Sequence, residues 1–126
     1  MNPLRRILLV EDSARDADLI LGAVEGYKLA NGVMHVRDGA EALDYLDRRG
    51  QFVGRSDDQP VLMLLDLKLP KVDGLEVLRQ MKGDATLKMI PVVMMTSSRQ
   101  EQDLVRSYEL GVNAYVVKPM KFQDFV

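Results

Sequence analysis

The sequence predicts an α/β fold, a five-stranded parallel sheet with helices on both faces. Two observations carry this. Short aliphatic runs recur along the chain between turn residues, and segments with helical spacing separate them. The central run, Val61 to Leu65, is opened by Pro60 and ends abruptly in the carboxylate of Asp66. A continuous apolar run of this kind suits a strand covered on both faces, as strands of parallel sheets are. Right-handed crossovers through the helices would complete the sheet. Periodicity leaves the strand order open.

The elements follow in order. Ile7-Leu8-Leu9-Val10, after Arg5-Arg6, is a buried strand that breaks into the acidic turn Glu11-Asp12-Ser13. Asp12 or Ser13 can accept the first free amide protons of a helix from Ala14 to Glu25. Ala17, Leu21 and Val24 share one face of that helix, Ile20 lies beside them, and Gly26 is the expected stop. Val33 to Arg37 is a weaker strand with poor alternation, expected near a sheet edge, and His35 reads as an ordinary strand residue. After the Asp38-Gly39 turn, Ala40 to Arg49 is a helix with Ala42, Leu43 and Leu46 inward. Arg48 and Arg49 suit its C-terminal dipole, and Gly50 can cap it. Gln51 to Gln59 has no periodicity and reads as a mobile polar loop.

Pro70 and Val72-Asp73-Gly74 stop the central strand and launch a helix from Gly74 to Lys82, with Leu75, Val77, Leu78 and Met81 apolar. Pro91 precedes the strand Val92 to Met95, which ends at Thr96-Ser97-Ser98. A polar helix from Arg99 to Leu110 is closed by Gly111. Ala114 to Val117 is the last strand, ending in Lys118-Pro119, and Lys121 to Val126 starts a further helix with Phe122, Phe125 and Val126 on one face.

Composition narrows the functions. The 126 residues suit one domain, spanning 1–126. A net charge of -2 with both signs interspersed gives no broad nucleic-acid footprint. The chain has no cysteine, which excludes disulfides and thiolate metal sites, and the single His35 excludes a multi-histidine centre. No apolar stretch approaches membrane-spanning length and no signal-peptide core opens the chain, so the expected compartment is the cytoplasm, with no membrane partner.

The chemistry collects at strand ends. Glu11 and Asp12 follow the first strand, Asp66 the third, Thr96 the fourth and Lys118 the fifth. In a parallel sheet these ends share one edge, where open α/β sheets hold their ligands. Clustered carboxylates repel unless a cation opposes them. A hard divalent ion with oxygen ligands, Mg2+ by preference, fits such a site. A free carboxylate nucleophile beside a metal, a lysine and a hydroxyl suits phosphoryl transfer.

These residues carry a resemblance. Leu9-Val10-Glu11-Asp12, Leu65-Asp66-Leu67-Lys68-Leu69-Pro70 with Asp73-Gly74, Met95-Thr96-Ser97 and Tyr115-Val116-Val117-Lys118-Pro119 stand in the order and spacing of a response-regulator receiver domain. Over its whole length the chain resembles receivers of the chemotaxis CheY type. The resemblance implies a flavodoxin-like sheet of order 2-1-3-4-5. It implies that Asp66 accepts a phosphoryl group from a phosphohistidine of a sensor kinase. Glu11, Asp12 and Asp66, with the backbone carbonyl of Lys68, would hold Mg2+. Lys118 and Thr96 would contact the phosphoryl oxygens, and Tyr115 would swing inward as Thr96 moves. It also implies a cis peptide before Pro119, and a changed surface from Arg99 onward after phosphorylation. The Lys68 side chain, two positions after the acceptor, is expected to shield the acyl phosphate from water.

The long loop before the central strand is similar to that of receivers working beside bacterial phytochromes, which implies a bacteriophytochrome-type kinase and a homodimer through the C-terminal face. The fifth helix is expected to be truncated at Val126. Three competing readings stand beside this one. A haloacid-dehalogenase-like phosphatase would need a second Asp where Lys68 stands, and a flavodoxin-like cofactor binder would need a glycine-rich loop after the first strand. The third is a receiver fold used as a phosphorylation-independent docking module, against which the intact acid, Thr96 and Lys118 set argues.

Overall fold

Each aliphatic run becomes a strand in the computed structural model, which describes residues 6–27, 32–56, 58–96, 109–112 and 114–117. The strands are β1 (Arg6–Val10), β2 (Gly32–Val36), β3 (Leu62–Asp66), β4 (Val92–Thr96) and β5 (Ala114–Val117). They form one parallel sheet in the order β2-β1-β3-β4-β5. The weak strand β2 is therefore an edge, as its poor pattern predicts, and β3 is central.

Side-chain alternation divides β1, β3 and β4 between two cores. Leu8, Val10, Met63, Leu65 and Met94 pack on one face against α2 (Gly39–Asp47) and α3 (Gly74–Lys82). Ile7, Leu9, Leu64 and Met95 pack on the other against Ala17 and Ile20 of α1 (Ala14–Tyr27). With both faces covered, every second residue can be aliphatic too, which is why the strands read as unbroken runs. Each such buried aliphatic side chain stabilises the fold by about 2 kcal/mol.

Helices α1 and α2 depart from expectation at their ends. Helix α1 passes through Gly26 to Tyr27, and its cap is Ser13, not Asp12: Ser13 Oγ accepts the Asp16 N–H at 3.2 Å. Helix α2 starts at Gly39, capped by Asp38 Oδ1, which accepts the Glu41 N–H at 2.7 Å. It ends at Asp47, because Arg48 adopts a left-handed conformation (φ 56°) and turns its N–H back to the Asp44 and Tyr45 carbonyls. Arg48 therefore closes the helix where Gly50 was expected to, and Gly50–Phe52 forms a separate 3-10 turn. Helix α3 has its expected bounds, capped by Asp73 Oδ1 on the Glu76 N–H at 2.9 Å.

The loop expected to be mobile is tied down. Arg55 lies 4.0 Å over the Tyr45 ring, and Phe52 meets the same ring edge-on at 5.1 Å. Arg55 Nε donates to the Tyr45 carbonyl at 3.0 Å and its Nη2 to Gln59 Oε1 at 2.6 Å. Gln59 Nε2 in turn donates to the Leu46 carbonyl at 2.8 Å. Two last-turn carbonyls of α2, those of Tyr45 and Leu46, thus gain side-chain donors from the loop.

Candidate functional site

Strand order builds the site. Neighbours β1 and β3 pair with Val10 opposite Leu65, so Glu11 and Asp66 emerge side by side at the C-terminal edge of the sheet. One carboxylate oxygen from each of Glu11, Asp12 and Asp66 lies within 4.8 Å of the others. Glu11 is 0% and Asp66 5% exposed, while Asp12 is open to solvent. At about 4 Å two like charges repel by roughly 1 kcal/mol in water and roughly 4 kcal/mol at an effective dielectric of 20. Three converging carboxylates, two of them buried, form the donor set a hard divalent cation takes, and the residues fit one.

The backbone around the acids is held from several directions. The Glu11 N–H donates to the Val36 carbonyl at 3.1 Å, and Glu11 Oε1 accepts the Ser13 N–H at 3.1 Å. His35 Nε2 bonds the Glu11 carbonyl at 2.8 Å, so this residue does more than occupy its strand. On the Asp66 side, the Leu67 N–H donates to the Met95 carbonyl at 2.8 Å and the Gly74 N–H to the Leu67 carbonyl at 2.9 Å. The loop from Leu67 to Asp73, which carries Lys68, is also docked on the start of α2. A Cβ on Gly39 would fall 1.7 Å from the Val72 carbonyl oxygen, so only glycine lets the two backbones meet. Lys71 in that loop has φ 66°, and its Nζ stands 3.6 Å from Asp38 Oδ2.

The sequence-predicted residues fall as follows. Glu11, Asp12 and Asp66 converge. Thr96 ends β4, 1% exposed, one residue beyond the Met95 that pairs with Asp66, and so shares the same sheet edge. Lys68 follows β3 with an exposed side chain. Tyr115 lies on β5 opposite Met94. Lys118, the Lys118–Pro119 peptide, most of the helix from Arg99 and the C-terminal face at 121–126 lie outside the described residues. Sequence reasoning missed His35 and the tight approaches at Gly39 and Gly74. Their only signals were a polar residue near the end of an edge strand and glycines at helix starts, both common without such roles.

No helix among the described residues is long and apolar enough to cross a membrane. The profile of the response regulator receiver domain matches residues 7–126. The chain is 42% identical to the response regulator Rcp1 of Synechocystis sp., over 98% of this chain and 82% of that protein. The Mn2+-bound structure of Rcp1 superposes with a TM-score of 0.85, at 41% identity, covering 95% of this chain and 85% of that one. The bacteriophytochrome response regulator AtBRR superposes with a TM-score of 0.89 at 62% identity, covering 98% of this chain and 89% of that one. The phosphorylated cyanobacterial phytochrome response regulator RcpA does so with 0.85 at 44% identity, covering 96% of this chain and 85% of that one.

Proposed function

The chain belongs to the response regulator receiver domain family, and we propose that Asp66 is its phosphoacceptor, charged by a sensor histidine kinase. The observation that carries this is the buried Asp66 carboxylate at the end of the central strand, with Glu11 and Asp12 converging on it. An Asp66 oxygen attacks phosphorus, the bond from phosphorus to the kinase imidazole nitrogen breaks, and its electron pair returns to the ring. An acyl phosphate on Asp66 results. Glu11, Asp12 and Asp66, with the Lys68 backbone carbonyl, would hold Mg2+, whose charge offsets that of the phosphoryl oxygens. The Mn2+ bound by Rcp1 supports a divalent cation here.

Thr96 donates its hydroxyl to a phosphoryl oxygen, and Lys118 supplies a flexible cation to another. Tyr115 follows Thr96 inward, and the elements from Arg99 onward present a changed surface, a population shift driven by the added charge and acceptor oxygens. In this reading 1–126 is one receiver domain whose catalysis is confined to its own phosphorylation and dephosphorylation. AtBRR and RcpA, named for phytochrome signalling, support a bacteriophytochrome-type kinase as the partner. In the same reading two copies pair through the C-terminal face.

The test is intact-mass spectrometry after incubation with Mg2+ and acetyl phosphate, beside an Asp66→Asn variant. A single phosphoryl adduct on the wild type alone is expected. A folded, Mg2+-binding wild type without an adduct would replace this reading with a phosphorylation-independent docking module.

A further inference from the structure

His35 is half-buried on edge strand β2, opposite Leu9 of β1, and its ring reaches forward to the carbonyl of Glu11. A carbonyl oxygen only accepts, so Nε2 carries the proton and donates at 2.8 Å. The Glu11 carbonyl and the Asp12 N–H belong to one planar peptide unit. Holding that oxygen therefore sets the plane from which Asp12 departs. The two acids differ in what else restrains them. Glu11 is fully buried, with its N–H on the Val36 carbonyl and its Oε1 on the Ser13 N–H. Asp12 is exposed, beyond the end of β1, and begins no strand or helix.

We propose that His35 is a positioning residue for the acidic site, aiming the Asp12 carboxylate toward Glu11 and Asp66 by fixing the Glu11–Asp12 peptide. His35 lends no ligand atom and acts through the backbone. This extends to a backbone carbonyl the general behaviour of outer-shell groups, whose loss weakens metal binding although they never touch the ion. The role rests on the divalent-cation reading above.

The experiment is calorimetric titration with Mg2+ of wild type, His35→Ala, His35→Gln, Asp12→Asn and His35→Ala/Asp12→Asn, with melting in chelator to confirm folding. His35→Ala is expected to bind Mg2+ about 10-fold more weakly. The amide N–H of His35→Gln should recover most of that loss, a rescue that general loosening of β2 would not give. Because the effect runs through Asp12, His35→Ala should weaken binding no further in the Asp12→Asn background. Unchanged affinity in His35→Ala, or an equal loss in both backgrounds, would overturn the positioning role and leave the cation reading standing. A wild type that binds no Mg2+ would overturn both.

Discussion

Gly74 and Asp66 meet backbone to backbone. A Cβ on Gly74 would lie 2.2 Å from the Asp66 carbonyl oxygen and 2.8 Å from that of Leu67. Both obstacles are main chain, which cannot swing aside as a side chain can. The first residue of α3 thus presses on the end of the strand that carries the central acid.

Gly74→Ala should therefore force the Leu67–Asp73 loop outward and destabilise the fold by about 2 kcal/mol, as overpacked sites do. Urea unfolding measures this. The same displacement should slow labelling of Asp66 by acetyl phosphate. Gly54→Ala, where nothing lies within 4 Å of the added carbon, is the control and should leave both unchanged.

Asp12 is the exposed member of the three-carboxylate cluster, so its removal relieves repulsion without opening a cavity. In chelator, Asp12→Ala should melt a few degrees above wild type. In excess Mg2+ the order should reverse, because in the proposed reading Asp12 is one of the carboxylates that hold the ion. A lower melting temperature in chelator would show that repulsion is not what the cluster contributes.

Arg55 combines a ring contact with Tyr45 and hydrogen bonds to the Tyr45 and Asp58 carbonyls and to Gln59. An ammonium cannot span these planar, divergent acceptors. Arg55→Lys should thus lose nearly as much as Arg55→Ala, about 1–2 kcal/mol by denaturant unfolding. Faster hydrogen exchange confined to the end of α2 and the loop after it would locate the effect.

Asp84 Oδ1 accepts the Leu87 N–H at 2.9 Å and the Thr86 N–H at 2.8 Å, bonds that hold its carboxyl below the ordinary range. The folded state favours the charged form. Its stabilisation is therefore complete above the unfolded value of about 4 and is lost as pH falls through the lowered folded one. Asp84→Ala should be less stable than wild type at neutral pH, and the gap should close on acidification. Melting curves at stepped pH check this.

Some of this architecture was legible residue by residue. Helix α3 kept its predicted bounds because Asp73, the apolar spacing of Leu75, Val77, Leu78 and Met81, and the following Gly83 are local signals that agree. The loop at 51–59 misled because its polar residues look solvated until Tyr45 and the end of α2 stand beside Arg55. Helix α2 closed at Arg48 for a similar reason. Its left-handed turn feeds the 3-10 segment that carries Phe52 onto Tyr45, and Gly50 two residues later gave the stronger local signal.

By itself the sequence determined that this chain is a parallel α/β domain with acids at its strand ends, because strands buried on both faces must be aliphatic and an acid ending such a run stands out. Strand periodicity is blind to order, so the meeting of Glu11 and Asp12 with Asp66 was legible only through the motif resemblance, and the tertiary structure shows it by laying β1 beside β3. Only the tertiary structure decided that His35 reaches Glu11 and that Gly74 must carry no side chain. Both follow from distances across the fold, which no local pattern of residues encodes.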